Sequence, residues 1–151
     1  SLHDALPILT RQNRLEALRL EVGEGQENFI EPVSQCLSEA RRNLVWKPVA
    51  ICDGNRVVGF AMYGYFWWEY FPYGRLWLDR LMIDAAFQGR GYGKAALAGL
   101  LKLLTGRYPN KDIYLSVFKG NDVAAGLYKE FGFRFNGEKD IHGEDVMVMR
   151  M

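Results

Sequence analysis

The apolar positions change period several times along the chain. Over residues 12–22, Leu15, Leu18, Leu20 and Val22 give an imperfect helical stripe that Gly23 and Gly25 interrupt. A second helix is predicted after Pro32, with Ser34 as its N-cap and its body running to Arg42. Two apolar runs follow, 46–52 and 57–65. Between them stand Asp53, Gly54 and Asn55, residue types that accept positive φ, so the pair reads as a β-hairpin. Residues 75–84 form a third strand. The span 93–105 is a long apolar-rich helix ended by Gly106 and Pro109. Residues 112–118 alternate as a strand, and 122–131 form a helix closed by Gly132. Spans 133–139 and 145–151 pair antiparallel around His142 and Gly143. This order predicts a mixed α/β sheet with a crossover in its middle, not a regular doubly wound fold.

Composition narrows the function. At 151 residues, without repeats or a Ser/Pro-rich linker, the chain is expected to be one domain over 1–151. Residues 1–8 have no usable period and read as a leader or a first strand, without functional weight. Lys and Arg total 19 against 18 Asp and Glu, a net charge of +1, which argues against a general nucleic-acid binder. No apolar run approaches the roughly 18 residues of a membrane span, and no secretory signal is visible. Cys36 and Cys52 lack metal-ligand spacing. They are expected to be free, buried thiols in a reducing cytoplasm, with no metal in the site.

The chemistry concentrates in two segments. Leu81, Met82 and Ile83 end a strand that runs into Gln88, Gly89, Arg90, Gly91, Tyr92, Gly93 and Lys94, where the long helix opens. A glycine turn at a helix N-terminus offers successive amide hydrogens to an anion, and Arg90 and Lys94 add charge. A bare glycine-rich turn is more often only a turn. The strand before it and the helix after it favour the phosphate reading, with a diphosphate as the guest. The spacing is neither that of a dinucleotide fingerprint nor that of a triphosphate loop. In the second segment, Asn121 and Tyr128 lie two helical turns apart and project from one face.

Together the segments resemble the GNAT N-acetyltransferase superfamily. Its acyl-CoA loop, Gln/Arg-x-x-Gly-x-Gly/Ala, is met by Gln88, Gly91 and Gly93. Its later helix, Asn-x-x-Ala-x-x-x-Tyr-x-x-x-Gly-Phe, is met by Asn121, Ala124, Tyr128, Gly132 and Phe133. With the residues around 24–29 and 80–84, the chain looks closest to the bacterial spermine/spermidine (diamine) acetyltransferases. The resemblance implies a mostly antiparallel sheet with a splayed parallel pair in the middle and helices on both faces. It implies acetyl-CoA as co-substrate, Leu81, Met82 and Ile83 along the pantetheine arm, residues 88–94 on the pyrophosphate, and Asn121 near the cofactor amides. Tyr128 would be the proton donor to the leaving thiolate, since a phenol is still protonated at pH 7. A homodimer would fit the family's habit.

An amine acceptor arrives as an ammonium and must lose a proton before it attacks. Glu21, Glu24, Glu27 and Glu31 crowd one helix-to-helix connection, and a polycation would be steered there. Tyr65 and Glu69, within the aromatic run 63–73, could line the same cleft and add cation–π contacts. Against these stand a solvated acidic turn and an aromatic packing or dimer surface. Glu24, Glu27 and Asp79 remain alternatives for the base, with Asp84 a structural residue. The favoured activity is acetylation of a polyamine or diamine such as spermidine or spermine. Acetylation of another amine (an antibiotic, an amino acid or a protein N-terminus) and a non-catalytic acyl-CoA sensor are the alternatives.

Overall fold

The computed structural model describes residues 11–21 and 32–151. The elements run α1 (Arg11–Ala17), α2 (Val33–Arg42), β1 (Lys47–Asp53), β2 (Arg56–Phe66), β3 (Arg75–Ile83), α3 (Tyr92–Arg107), β4 (Ile113–Val117), α4 (Asp122–Glu130), β5 (Arg134–Lys139) and β6 (Asp145–Met149). The strands form one sheet in the order β1-β2-β3-β4-β6-β5, antiparallel except for β3 with β4.

That parallel pair is the feature on which the site depends. Its register extends only over Leu76 with Ile113 and Trp77 with Tyr114. Beyond Trp77 the two strands part. A bulge helps: Phe60 pairs with Met82 and Met62 with Asp79, so Arg80 and Leu81 together face Ala61, and Arg80 takes φ of +55°. Gly59 lies beside this distortion, where an added Cβ would stand 2.4 Å from the Met82 carbonyl oxygen; only glycine lets β2 approach so closely.

Both sheet faces are covered. Leu97, Leu100 and Leu104 of α3 pack on Ile51, Val58, Leu76, Leu78 and Leu115, with Phe133 and Met147 completing the larger core. On the other face Ala17, Val33, Cys36 and Leu37 meet Phe60, Met62 and Met82. Cys36 and Cys52 are both buried and neither forms a disulfide.

Several boundaries differ from the sequence reading for identifiable reasons. Helix α1 stops at Ala17 rather than reaching residue 22. The chain is drawn out of the helix when the Glu21 N–H donates to Asp84 Oδ1 at 2.8 Å and its carbonyl accepts from Ala85 at 2.7 Å. Pro32, not Ser34, occupies the N-cap of α2, and no side chain caps that helix. Helix α3 continues through Gly106 to Arg107, whose guanidinium donates to the Tyr63 hydroxyl. At the β1–β2 turn only Gly54 takes positive φ, +60°; Asn55 does not, the glycine-first pattern of a type II′ turn.

Candidate active site

The gap where β3 and β4 part opens into a cleft of about 980 Å³. Leu81, Met82 and Ile83 line it from β3, Gln88, Gly89, Gly91, Tyr92 and Gly93 from the following turn, and Asn121 and Tyr128 from α4. Most residues of the expected cofactor segment thus border one cleft. Arg90 and Lys94 do not line the cleft. Lys94 is exposed and pairs with Glu130 at 3.3 Å, while Arg90 leans over the Phe87 ring.

Local chemistry explains the shape of the turn. Asp84 caps a single 3-10 turn, Ala85–Phe87, by accepting the Ala86 N–H, and its other oxygen takes the Glu21 N–H. This is the structural role expected of Asp84. Gln88 folds back so that its amide donates to the Ile83 carbonyl at 3.0 Å. Gly89 and Gly91 then take φ of +75° and +82°, which L side chains tolerate poorly. Gly91 is the N-cap of α3 and no side chain caps that end, so the amides of the first turn have no side-chain acceptor.

Tyr128 is held by the end of its own helix. Phe131 closes α4, Gly132 takes φ of +102°, and the Gly132 and Phe133 amides donate to the Lys129 and Tyr128 carbonyls, both at 3.1 Å. This is a Schellman closure, and its hydrophobic contact is the Tyr128 ring meeting Phe133 edge-on, with centroids 5.9 Å apart. At the other end, Asn121 Oδ1 accepts from the Ala124 N–H. Burial, with the Asp79 carboxylate adding to it, pushes the Tyr128 hydroxyl up to about 12. The phenol thus stays protonated at physiological pH.

Away from the glycine turn the same cleft is aromatic and acidic. Trp46, Phe66, Tyr70 and Trp77 line it together with Glu39, Glu69, Asp79, Glu138, Asp140 and Glu144. Glu69 is fixed by the Trp77 indole, which donates to it at 2.9 Å. Arg75 donates to both oxygens of Glu138, at 2.7 and 3.0 Å, and lies between the Tyr70 and Tyr114 rings at 3.6 and 4.2 Å. Arg80, its side chain 8% exposed, pairs with Glu39 and lies 3.6 Å from Asp79. Burial pushes the Glu39 carboxyl up, but hydrogen bonds from Arg80 and Gln35 outweigh it and the net direction is down.

Of the expected acceptor residues, Glu69 and Asp79 reach the cleft, whereas Tyr65 does not. Tyr65 packs on Tyr108 at 5.6 Å and donates to the Tyr73 carbonyl at 3.0 Å. Glu24 and Glu27 lie outside the described residues, as does Glu31. Glu39, Glu138, Asp140 and Glu144 were missed because they come from α2, β5 and the turn after it. No short-range pattern links those segments.

The Arg75 hydrogen bonds hold Glu138 below the usual carboxylate range. A depressed carboxylate stabilises the fold above its unfolded value, about 4.3, and that contribution fades as pH falls through the lower folded value. Glu138→Gln is therefore expected to be less stable at pH 7 and to show a shallower loss of melting temperature below about pH 5. An identical acid slope in both proteins would contradict this.

The acetyltransferase (GNAT) family profile matches residues 10–133. The chain is 44% identical over 145 residues to the spermine/spermidine N(1)-acetyltransferase of Bacillus subtilis, covering 95% of each. It is equally similar, at 44% over 145 residues and 95% of each, to a probable spermine N(1)-acetyltransferase of the natto strain. Among solved structures it superposes on an acetyltransferase from Thermus thermophilus with TM-score 0.72 at 20% identity, covering 97% of this chain and 96% of that one. The PaiA N-acetyltransferase from Thermoplasma acidophilum in complex with coenzyme A gives 0.69 at 12% identity, covering 97% and 98%. The last two likenesses concern the fold.

Proposed function

Because this chain belongs to the acetyltransferase (GNAT) family, we propose that it moves the acetyl group of acetyl-CoA directly to a primary amine of a polyamine or diamine such as spermidine or spermine. The observation that carries this reading is the shared cleft: one hollow contains an uncapped helix start in a glycine turn, a protonated phenol, and an aromatic, acid-rich end.

In this reading the amides of residues 88–94 hold the pyrophosphate, and Leu81, Met82 and Ile83 run beside the pantetheine arm. One amide of β3 polarises the acetyl carbonyl. The Asn121 amide nitrogen contacts the arm, its oxygen serving the helix cap. Asp79 is the favoured proton acceptor, since its charge reaches the Tyr128 hydroxyl. The amine nitrogen bonds to the acetyl carbon, the carbon–sulfur bond breaks, and Tyr128 protonates the departing thiolate. In net terms one N–H proton of the amine ends on sulfur. Glu69, steadied by Trp77, and the neighbouring rings receive the remaining ammonium groups. The reading also takes the chain as one cytoplasmic domain over 1–151. It includes a homodimer, supported by the exposed Trp67, Phe71 and Tyr73.

A panel of amines at equal concentration, followed by thiol release from acetyl-CoA, tests the acceptor. Spermidine and spermine are expected at the top; an amino acid or peptide N-terminus turning over faster would displace the polyamine assignment. Gly91→Val tests the turn. A β-branched residue at this φ costs about 1–2 kcal/mol or more, so the loop relaxes elsewhere and coenzyme A binding weakens at least roughly tenfold. Unchanged affinity by calorimetry would remove the turn from its role.

A further inference from the structure

Beside the glycine turn, two guanidinium groups from different elements approach one ring. Arg90 lies 5.7 Å from the Phe87 centroid, and Arg56, the first residue of β2, lies 5.6 Å from it. Phe87 lines the cleft; neither arginine does. Among the described residues neither arginine forms an ion pair. Arg56 leans over Phe87 although Asp53 and Glu16 border the same small hollow.

The placement of Arg56 follows from the hairpin. Asp53 accepts a 2.5 Å hydrogen bond from the Tyr92 hydroxyl, fixing the β1–β2 tip against the first turn of α3. That bond holds the hydroxyl above the ordinary phenol range, while Arg90 and Arg56 pull it the other way, so both cations lie close to the helix start. Two positive charges close to a helix N-terminus favour an anion in the same neighbourhood.

Resting on the coenzyme reading above, we infer that Arg56, together with Arg90, forms a second anion subsite that takes the phosphomonoester at the nucleotide end of coenzyme A. With the pyrophosphate on residues 88–94 and the thiol end in the cleft, the nucleotide end leaves the turn on the side away from the cleft. A phosphomonoester carries nearly two negative charges at pH 7 and presents terminal oxygens that match a guanidinium fork. The hairpin tip thus reads whether the coenzyme is complete, at a point remote from the chemistry.

Calorimetry with coenzyme A and with 3′-dephospho-coenzyme A, on the wild-type chain, Arg56→Ala and Arg56→Lys, tests the subsite. The wild type is expected to prefer the complete coenzyme by about tenfold or more, as one charge-assisted pair allows. Arg56→Ala erases most of that preference while binding the dephosphorylated molecule within about twofold of wild type, which also shows that the turn remains formed. Arg56→Lys recovers part of it. The same preference in Arg56→Ala as in wild type, or equal weakening of both ligands, overturns the subsite alone. Failure of the wild type to bind either ligand overturns the coenzyme reading and the subsite with it.

Discussion

Tyr128→Phe is expected to lower kcat for amine acetylation by about 10²–10⁴-fold, the range typical of a lost general acid, while leaving coenzyme A affinity within about twofold. The substitution removes one oxygen and keeps the ring, so the edge contact with Phe133 and the helix closure persist. Burial disfavours the phenolate, and the Asp79 charge disfavours it further, so the hydroxyl is neutral at physiological pH, as the proposed proton donor requires. No loss of activity from its ionisation is expected at any pH below about 11. A fall in kcat/KM through KM alone would assign Tyr128 to binding instead. Unchanged turnover would remove it from the site.

Phe133→Ala is expected to cost about 3–5 kcal/mol of stability, the usual range for a fully buried phenylalanine, and to lower the melting temperature by roughly 10 °C. Phe133 is 0% exposed and belongs to the larger core, where it also forms the hydrophobic contact of the Schellman closure. Its loss therefore strikes the fold and the position of Tyr128 at once. Below its own melting temperature the variant should still show a reduced kcat, because the Tyr128 ring has lost its neighbour. Phe133→Leu keeps most of the volume and should fall between the two. A variant as stable as wild type, or one destabilised with kcat intact, would break the link drawn between this core position and the phenol.

The Gly132-Phe133 pair illustrates what could be read from the sequence. A glycine after the last helical residue and an aromatic behind it state a closure rule within a few positions, and the structure has that closure. The strand–turn–helix around Gly89 and Gly91 was legible for the same reason, since positive φ is a local demand. Tyr65 shows the limit. Alternation places Tyr63 and Tyr65 on one face of β2 but does not say which face meets the cleft, and that face proved to pack toward Tyr108. The bulge at Arg80 is a second case: an arginine in the left-handed region leaves no mark in the apolar pattern, yet it changes the strand's register beside the gap. Least legible was the acid set. Glu39 and Glu138 are far apart in the chain and reach the cleft through Arg80 and Arg75, contacts that exist only once the sheet is assembled.

The proposed activity requires one cleft to bring a thioester and a polyamine together beside Tyr128. Its most direct test is to incubate the purified chain with acetyl-CoA and spermidine, following free thiol and the mass of the amine together. One thiol is expected to be released per acetylated spermidine, with release dependent on the amine. Thiol release no faster than in buffer, across the polyamines, would contradict it.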